Sequence, residues 1–247
     1  MLRDETGVAK YRHEALAVVL QVRPRPDAAA PGPGAVWAGE RLGLCFLAWR
    51  RSHEPFTGRW ALPSGPVEVD ETLDASVRRH LAEKLDLGSL AHLEQLETLS
   101  DPDRDPYERT IASAYLGLVP FGVEGHLPAA ASWLPVAPLP GMAFDHARVV
   151  SHGVERLRAK LSYTNLGFAV APTEFALSTL RDIYNAALGY QVDATNLQRV
   201  LARRGVITRT GTTAQSGRSG GRPAALYRFT DSRLRVTDEF AALRPPS

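Results

Sequence analysis

The stretch GPVEVDETLDASVRRHLAEKLDL, Gly65 to Leu87, decides the fold. Leu73, Val77, Leu81 and Leu85 recur every four residues, which lines them up as one buried stripe of an amphipathic α-helix. His80, Glu83 and Lys84 are three and four residues apart, so by spacing their side chains share a face of that helix. The lead-in RWALPSGPVEVDET is rich in turn formers and delivers the chain to the helix start.

Upstream, ALAVVLQV at 15–22 and LGLCFLAWR at 42–50 are short apolar runs rich in branched residues and read as strands. Between them RPRPDAAAPGPGAVWAGE, with its Pro, Gly and Ala content, reads as a long loop. Downstream, strand-like segments fall at 93–99 and 110–119, separated by the polar turn DPDRDP. A second helix is expected over 145–161, with Val149, Val150, Val154, Leu157 and Leu161 as its inner face. Strands, helix, strands and helix in this order indicate an α/β sandwich.

Past Tyr163 the pattern changes to two short helices and a hairpin. Ser178 is placed to cap a helix with Leu180, Ile183, Tyr184, Ala187 and Leu188 as its stripe, ended by Gly189 in a left-handed turn. Asp193 is placed to cap a second, with Leu197, Val200 and Leu201 inside and Gly205 past its end. VITRT and ALYRF then read as strands around the loop GTTAQSGRSGGRP. At roughly 100 to 200 residues per domain, 247 residues favour two domains, and the change in pattern divides them into 1–161 and 162–247.

Charge supports that division. Residues 1–160 carry 18 Lys and Arg against 21 Asp and Glu, whereas residues 161–247 carry 11 Arg, no Lys and 6 acids. The second part is therefore net basic, the footprint of a nucleic-acid-binding module. With 44% hydrophobic and 23% charged residues the chain has the composition of a packed globular protein. No stretch reaches the roughly 18 apolar residues needed to span a bilayer, and the charged MLRDETGVAK lacks an apolar targeting core, so a cytoplasmic location without membrane attachment is expected. The single Cys45 lies in an apolar run, where a small buried hydrophobe is expected, and excludes an intrachain disulfide.

The quoted stretch resembles the Nudix box: Gly, five residues, Glu, seven residues, then Arg-Glu-aliphatic-x-Glu-Glu-x-Gly-aliphatic. Gly65, Glu71, Arg79, Leu81, Glu83 and Leu87 match at the right spacing, and WALPSG resembles the family's WxLPGG lead-in. Nudix hydrolysis depends on helix carboxylates that hold divalent cations against a pyrophosphate. Here His80 and Lys84 stand at two of those positions, so no catalytic residue and no metal ligand is assigned and the domain is expected not to be an enzyme. Arg79, Lys84 and a protonated His80 would instead offset the charge of a diphosphate. The rival is an active pyrophosphatase that uses Glu68, Glu71 and Glu83 as an alternative metal set.

AFDHA at 143–147, KLSYTNL at 160–166 and GRPAALYRF at 221–229, in this order behind a degenerate Nudix box, resemble the Nudix-related transcriptional regulator family, NrtR. The resemblance implies an N-terminal Nudix-like α/β/α sandwich joined to a C-terminal winged helix-turn-helix. It further implies a homodimeric repressor of NAD-metabolism genes whose Nudix domain binds ADP-ribose or a related nucleotide as effector, without a cofactor, and thereby loosens DNA. Winged-helix dimers commonly read pseudo-palindromic operators in double-stranded DNA.

The residues of the tail point the same way on their own. With Leu197, Val200 and Leu201 inside, Thr195, Arg199 and Ala202 face out, flanked by Asn196, Gln198 and Arg203. Arg pairs with guanine, and Asn or Gln with adenine, in a major groove. Arg218 and Arg222 among the hairpin glycines suit phosphate or minor-groove contact. A partner-protein surface would instead carry exposed apolar anchors. Candidate ligand residues outside the box are Arg50 and Arg51 at a strand end, Arg104 and Arg109 near the polar turn, and Asp145 and His146 entering the second helix; with Arg79, Glu83 and Lys84 they form the expected nucleotide site.

Overall fold

The computed structural model describes residues 3–25, 42–85, 90–214 and 223–238, with Lys84 and Leu85 described by their backbone alone. The expected loop over 23–40 therefore lies largely outside the described residues, as do Arg218, Arg222 and the hairpin glycines 217, 220 and 221.

The chain forms two compact units. One gathers residues up to Leu20, Phe46–Gly117 and Glu124–Gly153; the other gathers Gln21–Cys45, Leu118–Val123 and the residues from Val154 onward. The larger sheet is built from β1 (Arg12–Pro24), β2 (Leu42–Arg50), β3 (Trp60–Ala61), β4 (Ser64–Pro66), β5 (His92–Leu99), β6 (Thr110–Leu118) and β7 (Ala131–Pro135). Its order is β3-β2-β1-β6-β5, with β4 paired to β1 and β7 to β2. The central place of β1 explains why Ala15 to Val22 is an unbroken buried run: both faces of that strand are covered, so the sequence has no need to alternate.

Helix α1 (Leu73–Leu85) follows β4 and buries Val77 and Leu81 as its spacing predicts, together with Ser76 and His80. Helix α2 (His146–Tyr163) buries Val149, Val150, Val154, Leu157 and Leu161, the whole expected stripe. Gly153 in α2 is required by close approach, because a Cβ there would lie 2.6 Å from Cγ1 of Val18 on β1. No helix among the described residues is long and apolar enough to cross a membrane.

After a 3-10 turn at Leu166–Ala169 come β8 (Phe175–Ala176), α3 (Leu177–Leu188), α4 (Ala194–Arg203), β9 (Ile207–Thr213) and β10 (Ala225–Phe229). β8, β10 and β9 form a second sheet with β10 in the middle. Two helices followed by a hairpin make a winged helix-turn-helix, so the fold class is that expected from the sequence. Gly189 ends α3 in the left-handed conformation, at φ 82°. Asp193 caps α4 by accepting the Asn196 backbone N–H at 2.7 Å.

Ser178 is not the cap of α3. The chain enters that helix straight from β8, with the extended Ala176 as N-cap and no side-chain cap bond. Pairing of Ala176 and Phe175 with Leu226 and Tyr227 of β10 already fixes the entry, and Ser178 falls inside the first turn.

The KLSYTNL segment stitches this unit together. Thr164 Oγ1 donates to the Lys160 carbonyl at 2.6 Å and accepts the Leu166 N–H at 3.1 Å. Buried Asn165 donates to the Arg233 carbonyl and accepts the Arg235 N–H, both at 2.8 Å.

Candidate functional site

The Nudix-box residues come together at the β4–α1 junction. Gly65 pairs opposite Ala15 on β1, and the segment that follows brings Glu71 against Arg79 on α1. Arg79 grips Glu71 with two hydrogen bonds, Nε to Oε1 at 2.5 Å and Nη2 to Oε2 at 2.8 Å, and also donates to the Pro66 carbonyl at 3.3 Å. These charge-assisted bonds hold the Glu71 carboxyl well below the usual carboxylate range, at about 2. Glu83 lies one turn further on, exposed, with Oε2 3.5 Å from Arg79 Nη1.

His80 departs from its expected place beside Glu83. Its ring is buried beneath the β4 turn, with Nε2 3.0 Å from the Pro66 carbonyl. The lack of a Cβ at Gly65 makes room for it: a methyl there would lie 2.2 Å from the imidazole Cε1. A protonated His80 beside Arg79 and Lys84 is thus not part of an exposed cationic face. The Lys84 side chain lies outside the described residues.

Nudix hydrolases use divalent cations, and the described residues do not fit such a centre. Glu71 is committed to Arg79, His80 is turned inward, and Glu83 offers one carboxylate. Among the described residues, no three His, Cys, Asp or Glu side chains form a group able to hold a metal ion.

A second cluster forms around the AFDHA segment. Arg104, nearly fully buried, clasps Asp145 through Nε at 3.1 Å and Nη2 at 2.9 Å. His146 is buried next to the pair, and its Nδ1 accepts the Leu62 N–H at 3.0 Å. The Phe144 ring stands 5.3 Å from His146, meets Phe56 edge-on at 5.0 Å and carries the Arg51 guanidinium 4.8 Å above it. Both phenylalanines adopt positive φ, 67° at Phe56 and 50° at Phe144. Such backbone costs about 1 to 3 kcal/mol per residue and persists only where the surroundings over-determine it.

Arg51 also donates from Nε to the Pro55 carbonyl at 2.7 Å, which pins the loop carrying Phe56. Arg50 is exposed, with its guanidinium 5.3 Å from the Trp60 ring. Arg109 donates to the Ser100 carbonyl at 2.9 Å. Arg104, Asp145, His146, Arg51 and Phe144 are therefore one connected group, Arg79 and Glu71 a second, and Arg50 presents an open cation.

Burial lowers the His146 pKa from the ordinary 6.5 to about 4; Asp145 opposes that shift while Arg104 and Arg51 add to it. The folded chain binds the His146 proton less readily than the unfolded chain. The resulting stability is complete above pH 6.5 and is lost as pH falls toward 4. The melting temperature should drop between pH 7 and pH 4.5, and His146→Asn, which keeps an acceptor for Leu62, should flatten that drop. Identical pH slopes in the two proteins would refute the assignment.

The DNA-facing candidates sit on α4. Leu197, Val200 and Leu201 are buried, while Thr195, Arg199, Ala202 and Arg203 are exposed and Asn196 and Gln198 half-buried. Arg199 Nη2 donates to Asn196 Oδ1 at 2.7 Å, Gln198 Nε2 reaches the Tyr227 hydroxyl at 3.4 Å, and Arg203 Nη2 lies 3.7 Å from Asp238. The next residue, Arg204, turns inward and donates to the Ser162 carbonyl at 2.8 Å and to Asp238 at 2.9 Å.

Sequence reasoning missed Phe56, Trp60, Arg209 and Tyr227. Trp60 lies in the WALPSG lead-in and Tyr227 in the strand ALYRF, and neither is singled out as a candidate within its motif. Phe56 follows a turn with no periodic signal.

Residues 167–229 match the family model described as the NrtR DNA-binding winged helix domain, and residues 29–152 match that of the NUDIX domain. The chain is 31% identical over 202 residues, 79% of each protein, to the ADPR responsive transcriptional repressor NtrR of Acinetobacter baylyi. It is 33% identical over 111 residues to the ADP-ribose pyrophosphatase of Methanocaldococcus jannaschii, which covers 42% of this chain and 63% of that protein. Shewanella oneidensis NrtR, in its crystal structure with a 27mer DNA, is 25% identical and superposes with a TM-score of 0.68 over 87% of this chain and 92% of that one. The chain belongs to the NrtR family of Nudix-related transcriptional regulators.

Proposed function

We propose that this chain is a transcriptional repressor that binds operator DNA through its winged helix and senses ADP-ribose or a related nucleotide in a Nudix domain that does not hydrolyse it. Residues 1–161 are the sensor and 162–247 the DNA-binding domain. The protein acts in the cytoplasm as a homodimer on a pseudo-palindromic site upstream of NAD-metabolism genes, and the nucleotide loosens its hold on DNA. Arg50, Arg51, Arg79, Glu83, Lys84, Arg104, Asp145 and His146 are the residues proposed for the nucleotide.

The observation that carries the reading is the exposed face of α4, where Arg199 and Arg203 stand over a buried apolar stripe beside a basic hairpin. The Arg79–Glu71 pairing supports the absence of turnover, because it engages a carboxylate that the rival metal set of Glu68, Glu71 and Glu83 needs.

Fluorescence anisotropy with DNA from immediately upstream of the chain's own gene tests both domains. ADP-ribose is expected to weaken binding about 5- to 150-fold, the range of a coupling free energy of roughly 1 to 3 kcal/mol. Incubation of ADP-ribose with the protein and Mg²⁺ is expected to yield no AMP above the protein-free control. Affinity indifferent to ADP-ribose and NAD, or sustained release of AMP, would overturn the sensing reading.

A further inference from the structure

The hydroxyl of Tyr227 is shared by the recognition helix and the hairpin. Tyr227 lies at the middle of β10, is 6% exposed, and stands directly opposite Arg209 of β9 in the strand register. The Arg209 guanidinium is 5.8 Å from the Tyr227 ring, and its Nε donates to the hydroxyl at 3.1 Å. From the helix, Gln198 Nε2 donates to the same oxygen at 3.4 Å.

The Tyr227 ring is buried. On its other edge Tyr227 pairs with Phe175 of β8, whose ring meets that of Phe229 at a tilt, with centroids 5.4 Å apart. The ladder between β9 and β10 shifts register between Ala225 and Tyr227, and Gly211, at φ 86°, supplies the left-handed backbone next to that irregularity. A bulge of this kind re-aims the side chains beside it; here Arg209 is aimed at the hydroxyl.

We propose that Tyr227 is a positioning residue for DNA reading, whose hydroxyl holds Gln198 and Arg209 in one arrangement so that helix and hairpin address the duplex as a unit. The inference rests on the DNA-binding reading above. Both neighbours reach the phenol oxygen through N–H groups, Arg209 by Nε and Gln198 by Nε2. Gln198 thereby gains a fixed polarity. Its Nε2 end is held toward Tyr227 and its Oε1 is turned the other way, whereas an untethered amide rotates freely and presents either end. Adenine offers a donor beside an acceptor in the major groove and guanine two acceptors, so a fixed amide separates them and a rotating one blurs them.

The test uses the full-length protein with duplexes tiled across the DNA upstream of its own gene. The best of these is then remade with each base pair replaced in turn. Tyr227→Phe keeps the ring and removes the hydroxyl. It is expected to lower the preference at one base-pair position by roughly two- to tenfold, the span of one hydrogen bond. Affinity for random-sequence DNA, the salt dependence and the melting temperature should stay at wild-type values. Gln198→Ala should lose the preference at the same position, and the double variant should lose no more than Gln198→Ala alone. A Tyr227→Phe profile identical to wild type overturns the proposal. So does a uniform loss at every position together with a lower melting temperature, since that is what mere packing would give. A wild-type protein that prefers none of the tiled duplexes overturns the DNA reading itself.

Discussion

Asp145→Ala should lower the stability of the chain by about 3 to 5 kcal/mol, because it removes the partner of a buried cation and leaves the cation behind. The Arg104 side chain is 3% exposed and the Asp145 side chain 20%, so the guanidinium is the buried member of the pair and loses its bidentate partner. Asp145 also opposes the lowering of the His146 pKa, so the substitution should push that pKa further down. The contrast that tests the cause is Arg104→Met combined with Asp145→Leu, which removes both charges and should cost less than Asp145→Ala alone. Chemical denaturation of the three proteins reads the difference. An Asp145→Ala protein as stable as wild type would mean that Arg104 finds another partner, and the cluster would then not hold the AFDHA segment in place.

Arg199→Ala should abolish sequence discrimination at one base pair without unfolding the protein. The side chain is exposed and contributes nothing to the apolar face of α4, so the helix should persist. Its bond to Asn196 directs the guanidinium fork along the helix before any DNA arrives. A fork paired to both guanine acceptors is worth roughly 1 to 3 kcal/mol of discrimination, or about 5- to 150-fold in relative affinity. Arg222→Ala, on the hairpin, should instead weaken binding to all sequences alike and lower the slope of affinity against salt by about one. Gel shifts in which the two variants behave alike would argue against the division of labour between helix and hairpin.

The parts of the structure legible in the sequence are those governed by local periodicity. Val77 and Leu81, the five inner residues of α2, and Leu197, Val200 and Leu201 all lie where their spacing puts them, because a helix facing a core must repeat its apolar residues every three or four positions. The Asp193 cap and the Gly189 turn were equally local. β3, β8 and β7 were not legible. Two of them are two residues long and the third only five, and β8 and β7 exist because of strands distant in sequence.

The candidate sites divide in the same way. The spacing of the Nudix box correctly placed Arg79 and Glu71 within the same motif, but the inward turn of His80 depends on the empty Cβ position of Gly65, which is contributed by another element. Arg104 and Asp145 are 41 residues apart, and neither carries a local sign that its charge will be met by the other.

The middle position of β10 sets the order in which the second unit can be completed. Phe175 must wait for Tyr227, and Ile207 for Phe229, before either neighbour has an edge to pair with. Helix α3 and helix α4, which carries the DNA-facing candidates, both precede that strand on the chain, so during synthesis they emerge before the sheet is complete. Closing a separation of this length is slower than forming a helix. A nascent chain would thus have both helices out while the sheet beside them was still open, and the second sheet would close only once β10 had been laid between its two neighbours.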